Sequence, residues 1–281
     1  MKDIIILNNV SYCIKNSENF ILKDINLNIK QGEFIAVVGR NGSGKSTFAK
    51  LLNGVLKPTF GNVTVNSMNT LDEKYSYEIK SNVGMVFQNP DNQFISGTVE
   101  EEIAFGLENL CVPSEKMELK IKKSLEIVGL SGLEKKSISE LSGGQKQCLN
   151  IASIISMNPK VIVFDEPTSM IDPQGRKKIL DLIKEINTKY KTTVILITHF
   201  MEEALAANKV LLLEKGILTE EKSPFEFFSN SSFTKYIKPM QSAEILLFLK
   251  DLGYDVSMKS FTSHDCAEEI IKILERKKSK C

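Results

Sequence analysis

The sequence predicts an α/β fold in which helices cover a mainly parallel β-sheet. Short apolar runs, typical of strands that are buried on both faces, alternate with longer amphipathic segments up to residue 220. Two runs before residue 30 show partial alternation of apolar and polar residues, which is typical of antiparallel strands with one solvated face. A parallel core sheet beside a smaller N-terminal antiparallel β-layer is therefore expected.

The individual elements follow from the spacing of apolar residues. Strands are predicted where Ile, Val and Leu cluster in short runs: Ile4–Tyr12, Phe20–Ile29, Phe34–Val38, Val83–Phe87, Val161–Phe164, Val194–Thr198 and Val210–Glu214. Helices are predicted where apolar residues recur every three or four positions: Lys45–Val55, Glu101–Leu110, Glu115–Val128, Gly144–Met157, Pro173–Tyr190 and Met201–Ala207. A polar turn over residues 15–19 separates the first two strands.

The pattern changes near residue 220. Pro224 interrupts the chain, and no run typical of a buried strand follows it. The remainder predicts two amphipathic helices, Ser242–Leu252 and Asp265–Lys277. We therefore expect a larger domain over residues 1–221 and a small appended domain over residues 222–281.

Composition excludes several classes of function. The 281 residues contain 36 Lys and Arg against 35 Asp and Glu, so the net charge of +1 gives no reason to expect a nucleic-acid partner. No apolar run approaches the ~18 residues that a membrane-spanning helix needs. The five cysteines are widely spaced and form no CxxC pair, which favours reduced thiols over disulfides or a zinc site.

A phosphate-binding loop is predicted directly after the strand Phe34–Val38. Residues 39–46, GRNGSGKS, fit the pattern G-x-x-x-x-G-K-[ST]. Glycines let backbone N–H groups curl around phosphate, and the following helix points its positive end at the same group. Lys45 adds a charge for the β- and γ-phosphates, and the Ser46 hydroxyl can reach Mg²⁺. The expected nucleotide-binding residues of this loop are Gly39, Asn41, Gly42, Ser43, Gly44, Lys45, Ser46 and Thr47.

Two further motifs supply acidic residues and glycines. Asp165 ends the strand that begins at Val161, where ligands of α/β sheets bind, and it can hold Mg²⁺. Glu166 is a candidate to polarise an attacking water molecule. Residues 141–145, LSGGQ, begin a helix and form a second anion site. A second anion site without its own phosphate loop is explained if it closes over the nucleotide of another subunit.

In this order, the motifs resemble the ATPase subunit of an ABC transporter. The resemblance rests on Tyr12, Gly39–Thr47, Gln88, Leu141–Gln145, Asp165, Glu166, Ser169–Asp172 and His199, and it spans about residues 3–220. It implies a P-loop NTPase fold of the ABC type with a helical signature subdomain, and two ATPase subunits that pair head to tail. ATP and Mg²⁺ are then expected between the phosphate loop of one subunit and Ser142, Gly143, Gly144 and Gln145 of the other.

The same resemblance implies roles for single residues. Tyr12 is similar to the aromatic residue that stacks on adenine. Asp172 is similar to a contact across the dimer, and His199 is similar to the γ-phosphate sensor that orients Glu166. The implied catalytic residues are Glu166, His199 and Gln88, and the implied Mg²⁺ ligands are Ser46, Gln88 and Asp165.

A narrower resemblance, to the energy-coupling factor subgroup, rests on VFQNPDNQF over residues 86–94 and TVEEEIAFGLENL over residues 98–110. The form is more similar to the first of that subgroup's two ATPase paralogues, which drive uptake of vitamins or of cobalt and nickel ions in prokaryotes. It implies a transmembrane coupling subunit, gripped by the segment that ends at Phe94, and a separate substrate-binding membrane subunit. It also implies a peripheral position on the cytoplasmic face of the cell membrane, and a C-terminal domain that contacts the second ATPase, either another copy or a paralogue.

The sequence departs from the ABC pattern at Cys148, where the family usually has an Arg whose charge can hold the helix that begins at LSGGQ in place. Two other interpretations stay open. A soluble ABC ATPase acting on DNA or ribosomes usually has a long coiled-coil insertion or two fused cassettes, and this sequence has neither. A nucleotide-binding scaffold without hydrolysis would be marked by the loss of Glu166 or His199, and both residues are present.

Overall fold

Alternating short strands and helices give two sheets with helices packed around them. The structure is a computed structural model that describes residues 2–14, 19–229, 240–257, 261 and 263–278. The strands are β1 (Asp3–Cys13), β2 (Phe20–Lys30), β3 (Phe34–Val38), β4 (Phe60–Val65), β5 (Met68–Asn69), β6 (Val83–Val86), β7 (Val161–Asp165), β8 (Thr193–Ile197), β9 (Lys209–Glu214) and β10 (Ile217–Lys222). The helices are α1 (Lys45–Leu52), α2 (Ser76–Asn82), α3 (Val99–Asn109), α4 (Ser114–Ile127), α5 (Gly143–Ser156), α6 (Pro173–Tyr190), α7 (Met201–Ala204), α8 (Pro224–Phe228), α9 (Gln241–Asp251) and α10 (Ser263–Lys278).

The first sheet is antiparallel, with the strand order β2-β1-β4-β5. Leu7 of β1 lies opposite Leu27 of β2 and Val63 of β4, and all three side chains are buried. Buried and solvated positions alternate along most of β2. One face of this sheet therefore packs on the core and shares an apolar cluster with α1, as the alternation in the sequence predicts.

The second sheet is parallel except for its edge strand β10, and its order is β10-β9-β3-β8-β7-β6. β3, β7 and β8 are buried along their whole length, as expected for strands covered by other elements on both faces. Val37, Ile197 and Asp165 are aligned across these three strands. The loops that follow the strands therefore emerge side by side at one edge of the sheet, where ligands of α/β folds bind.

Helices α3, α4 and α5 pack against one another and form the helical subdomain that the ABC resemblance implies. Leu107, Leu125 and Leu149, one from each helix, are fully buried. The Glu101 carboxylate accepts a hydrogen bond of 3.1 Å from the backbone N–H of Thr98, so α3 begins two residues before the predicted Glu101.

The chain after β10 returns to the core as helices. β10 ends at Lys222, and Ser223 caps α8, whose first residue is Pro224, as the break in the sequence predicts. Phe227 and Phe228 are buried in the cluster that also contains Val210 and Leu212 of β9. α9 and α10 pack together, and buried residues of both belong to the same cluster. A separate domain over residues 222–281 stays a prediction.

The predicted antiparallel layer, parallel sheet and alternating helices are confirmed, and the differences are local. α1 ends at Leu52, three residues before the predicted Val55, because Gly54 takes a left-handed conformation with φ of 71°. α7 is likewise shorter than predicted. The sequence pattern did not predict β4, β5, α2, β10 or α8. Residues 15–18 of the predicted turn lie outside the described residues.

Replacing Gly84 by Ala should destabilise the chain, because an added Cβ on β6 would lie 2.4 Å from the Ile154 side chain of α5. Overpacking of this kind costs about 1–3 kcal/mol. Gly97→Ala is a matched control, because the nearest atom to its added Cβ is 3.8 Å away, and it should change stability by at most about 0.5 kcal/mol. Denaturant unfolding measures both. Equal stability of the two variants would contradict the close packing of β6 on α5.

Candidate active site

The phosphate loop leaves the end of β3 and turns into α1. Gly39 is buried there, and a Cβ at this position would lie 2.2 Å from the carbonyl oxygen of Leu213, so only glycine fits. Gly44 begins α1 with φ of 103°, a conformation that side chains rarely adopt. The Lys45 ammonium turns back into the loop and donates hydrogen bonds to the carbonyl oxygens of Gly39 at 2.9 Å and Arg40 at 3.1 Å.

Two features of this loop fit an anion. The Ser43 hydroxyl is buried and has no hydrogen-bond partner among the described residues. Burial lowers the pKa of Lys45, while the charges of Glu166 and Asp165 oppose that shift. An orphaned donor and a buried cation at a helix N-terminus suit a phosphate group. Asn41, Gly42 and Ser46 are exposed around the loop, and Thr47 is half-buried in the first turn of α1.

Asp165 and Ser46 are brought together at the end of β7. Burial raises the pKa of Asp165, a hydrogen bond from the Ser46 hydroxyl lowers it, and the Glu166 charge raises it further. The described residues contain no group of three His, Cys, Asp or Glu side chains that could hold a metal. A hydroxyl beside one carboxylate instead suits Mg²⁺, which prefers oxygen ligands and keeps several waters. Gln88 is exposed two residues after β6.

Glu166 and His199 form a pair at the ends of β7 and β8. The His199 Nδ1 atom lies 3.4 Å from the Glu166 carboxylate oxygen Oε2. Glu166 has φ of 51°, which is uncommon for a residue with a side chain, and its N–H donates to the carbonyl oxygen of Ile197 at 3.0 Å. Strained residues of this kind cluster at functional sites when their surroundings hold them in place.

The LSGGQ motif lies at the start of α5 in the helical subdomain. The Ser142 hydroxyl accepts a hydrogen bond from the Gln145 N–H, and the Gln145 side chain accepts one from the Ser142 N–H. Ser142 and Gly143 are exposed, and a Cβ at Gly143 or Gly144 would meet nothing within 4 Å. Ser142 and the two glycines therefore face outward, whereas Leu141 anchors the motif in the core.

Tyr12 and Asp172 lie on two other elements, β1 of the antiparallel sheet and the N-terminus of α6. Tyr12 is half-buried on β1 opposite Leu22, whose side chain would be 2.8 Å from a Cβ on Gly44, so Tyr12 lies next to the phosphate loop. Asp172 is exposed and caps α6 by accepting hydrogen bonds of 3.0 Å from the N–H groups of Gln174 and Gly175. The Gly175 hydrogen bond contributes most to the lowered pKa of Asp172.

Contacts that the sequence did not reveal join the segment after Gln88 to α5. The Gln93 side-chain oxygen accepts hydrogen bonds from the Phe87 N–H at 3.2 Å and from the Asn150 amide at 3.1 Å. Lys146 forms an ion pair of 2.6 Å with Asp91. These partners are 55 and 57 residues apart, so no local spacing could have shown them. Phe94, which we expected to grip a partner, is half-buried against the core, whereas Ile95 is 68% exposed.

The fold and the site define a P-loop ATPase with an exposed second anion motif. Residues 22–169 match the ABC transporter family. The chain is 42% identical over 277 residues to the energy-coupling factor transporter ATP-binding protein EcfA1 of Caldanaerobacter subterraneus subsp. tengcongensis, covering 97% of this chain and all of that protein. It is 42% identical over 275 residues to EcfA1 of Clostridioides difficile, with 97% and 94% coverage.

Solved structures give the same result. The chain has a TM-score of 0.77 and 30% identity to cbiO1 from Clostridium perfringens, described as part of the ABC transporter complex cbiONQ, with 90% of this chain and 98% of that one covered. For the dimeric ATP-binding cassette MJ0796 bound to ADP and Pi, the TM-score is 0.69 at 30% identity, with coverages of 78% and 98%. This chain belongs to the ABC transporter family, and within it to the energy-coupling factor transporter ATP-binding proteins.

Membership makes the chain the ATPase of an ABC transporter, with ATP as substrate and Mg²⁺ as cofactor. Its partners are a second ATPase subunit and transmembrane subunits. The described residues contain no helix with the length and apolar character to cross a bilayer. As an energy-coupling factor ATPase, the chain is a membrane-associated transporter component.

Cys148, which stands where the family usually has Arg, packs against the apolar core. Burial raises the pKa of its thiol to about 11, against a smaller opposing effect of Lys178. At this position α5 is therefore held by apolar contact in place of an ion pair.

At pH 8, Cys148 should react with iodoacetamide much more slowly than the exposed Cys111. A pKa of about 11 leaves roughly one Cys148 thiol in a thousand as the reactive thiolate. Mass spectrometry of peptides from the alkylated folded chain measures both rates, and the urea-unfolded chain provides the control, in which the rates should converge. Equal rates in the folded chain would show that Cys148 is not shielded.

Proposed function

We propose that this chain drives uptake of a micronutrient, either a vitamin or a cobalt or nickel ion, by hydrolysing ATP on the cytoplasmic face of the cell membrane. The observation that carries the proposal is the Glu166–His199 pair, which lies at the same sheet edge as the phosphate loop, while the LSGGQ motif faces outward. The relatives named for energy-coupling factor transporters, and the cbiO1 structure, support the import role.

ATP binding is assigned to the loop residues that fit an anion. The backbone N–H groups from Gly39 to Thr47 hold the β- and γ-phosphates together with the Lys45 ammonium, which exchanges its hydrogen bonds to the loop carbonyls for the phosphates. Tyr12 stacks on the adenine. Ser46, Asp165 and Gln88 would hold Mg²⁺, which when bound neutralises charge on the phosphate oxygens.

Hydrolysis is assigned to Glu166, oriented by His199. The water oxygen forms a bond to the γ-phosphorus as the bond from that phosphorus to the β–γ bridging oxygen breaks, and the electron pair leaves with ADP. The Glu166 carboxylate takes the proton that the water loses, and Gln88 helps to place this water. Catalysis is then mainly a matter of positioning and charge stabilisation.

Two chains are needed to complete each site. Ser142, Gly143, Gly144 and Gln145 of one subunit close over the γ-phosphate held by the other, and Asp172 contacts the partner beside it. The exposure of Ser142 and Gly143, and the open space around Gly143 and Gly144, support this arrangement, because they leave room for a phosphate of the partner's nucleotide.

The movement by which the two ATPase subunits close over ATP is transmitted to the transmembrane coupling subunit through the segment after Gln88. Gln93 and Asp91 tie this segment to α5, so movement of the LSGGQ motif carries the segment with it. The exposed Ile95, in place of the predicted Phe94, is the apolar anchor for the coupling subunit. Exposed Ile245, Phe248 and Leu252 form a stripe on α9 that suits a contact between the C-terminal segments of the two ATPases.

The other interpretations lose support. An ABC ATPase acting on DNA or ribosomes does not fit relatives that are named transporter subunits along nearly their whole length. A scaffold that binds ATP without cleaving it would not require a strained Glu166 held beside His199.

Glu166→Gln should keep ATP binding but lower hydrolysis by about 10²–10⁴-fold, because an amide cannot take the proton from water. The assay is phosphate release by the transporter complex, purified through a tag on this chain together with its second ATPase and transmembrane subunit. Glu78→Gln, at an exposed position on α2, is the control and should match the wild type. Near-normal turnover by Glu166→Gln would overturn the assignment, and recovery of only ribosomal or DNA-repair partners would count against import.

Gln93→Ala should raise the Mg²⁺ concentration needed for half-maximal ATPase activity. The change leaves the Phe87 N–H next to Gln88 without its acceptor, and a hydrogen bond of about 1 kcal/mol corresponds to roughly a fivefold shift. Asn92→Ala, at an exposed neighbouring position, is the control. An identical Mg²⁺ requirement in both variants would show that Gln93 does not help to position Gln88.

A further inference from the structure

A buried carboxylate beside the active site has no role in the mechanism so far. Glu203 lies on α7 and is 2% exposed. Its two oxygens accept hydrogen bonds of 2.6 Å from the hydroxyls of Thr168 and Thr198. Such short bonds to a charged acceptor are stronger than those between neutral groups.

The two threonines flank the proposed catalytic pair. Thr168 lies two residues after Glu166, and Thr198 comes directly before His199. The Thr198 hydroxyl also accepts a hydrogen bond of 3.0 Å from the Phe200 N–H, so its donor and acceptor capacities are both used. Glu203 thus connects the chain segment that carries Glu166 to the segment that carries His199.

Burial of the Glu203 carboxylate carries a cost in free energy. Burial raises its pKa, while the hydrogen bonds from Thr168 and Thr198 and the charge of Arg176 oppose that shift. A buried apolar residue of similar size would avoid this desolvation penalty. The carboxylate, however, offers a separate oxygen to each threonine, so it can hold two hydroxyls that stand on different segments of the chain.

Ring contacts with Phe200 also hold the segment that carries His199. The Arg176 guanidinium carbon lies 3.5 Å from the centre of the Phe200 ring, and the Phe200 and His199 rings are 4.0 Å apart. Arg176 belongs to the first turn of α6, and its backbone N–H donates to the Asp172 carbonyl oxygen. His199 is therefore connected both to the Glu166 segment and to the helix that begins at Asp172.

We propose that Glu203 is a positioning residue that fixes His199 against Glu166 by holding Thr168 and Thr198 in one hydrogen-bonded unit. The proposal rests on the assigned roles of Glu166 and His199 in ATP hydrolysis. A carboxylate that binds neither nucleotide nor metal then controls turnover through the placement of the histidine.

Glu203→Gln should lower kcat of the purified transporter complex by about 10²-fold, the loss expected from displacing a reacting group by about 1 Å. The KM for ATP should stay within about twofold, because the phosphate loop is untouched. Glu202→Gln removes a carboxylate from the adjacent, exposed position and should match the wild type. A wild-type kcat for Glu203→Gln, or equal losses in both variants, would overturn the proposal.

A second pair of variants keeps the test independent of folding defects at Glu203. Thr198→Val removes the hydroxyl at nearly constant shape and should lower kcat, whereas Thr198→Ser keeps the hydroxyl and should restore it. Equal kcat values in the two would contradict a role for the hydrogen bond.

A double-mutant cycle with His199→Ala, measured by single-turnover ATP cleavage, shows whether Glu203 acts through the histidine. Adding Glu203→Gln to the His199→Ala variant should not lower the cleavage rate further. If Glu203→Gln lowered the rate by the same factor in the His199→Ala and wild-type backgrounds, the proposal would be overturned. If His199→Ala itself retained full activity, the assigned role of His199 would fail, and this result is distinguishable from an effect confined to Glu203.

Discussion

The alignment of three parallel strands is the constraint on which the rest of the site depends. Val37, Ile197 and Asp165 are aligned across β3, β8 and β7, so the phosphate loop, His199 and Glu166 follow at one edge of the sheet. Burial of both faces holds that register, because alternate side chains of each strand pack into two different apolar clusters, and a shift of one residue would exchange them. The positions of the catalytic groups are thus set by backbone pairing, and side-chain contacts refine them.

Two of those refining contacts join segments of the chain that belong to different strands. Glu166 donates its N–H to Ile197 of β8, and Glu203 holds the threonines beside Glu166 and His199. The Lys45 ammonium, in contrast, donates within the phosphate loop itself. Burial shifts the pKa of Lys45 down and that of Asp165 up, as expected for charged groups removed from water before a charged ligand arrives. The site is therefore organised to receive phosphate and metal together, because each would compensate a charge that the fold has partly desolvated.

Sequence reasoning reached the fold and the chemical motifs because both are local patterns. The phosphate loop is a contiguous run, and buried strands show as apolar runs, so β3, β7 and β8 were predicted nearly to the residue. Strand β4 begins with Phe60 and Gly61 and was missed because only two of its six residues are buried and it contains no continuous apolar run. The contacts of Gln93 with Asn150 and of Glu203 with Thr168 were missed for another reason. They cross tens of residues and exist only after the helices pack, so no spacing rule could find them.

The helix cap at Ser142 explains how one motif can serve its own fold and a partner's nucleotide. Ser142 and Gln145 satisfy each other, so α5 has a stable N-terminus before any ligand is present. The glycines that follow leave open space in which a phosphate can approach the backbone, and the helix dipole favours its negative charge. The interaction with a second subunit's ATP therefore adds to a helix end that is already formed. Gln93 and Lys146 connect that same helix to the segment after Gln88. In the function proposed above, a force exerted on the helix by a partner's phosphate therefore reaches the segment that we assign to the contact with the membrane subunit.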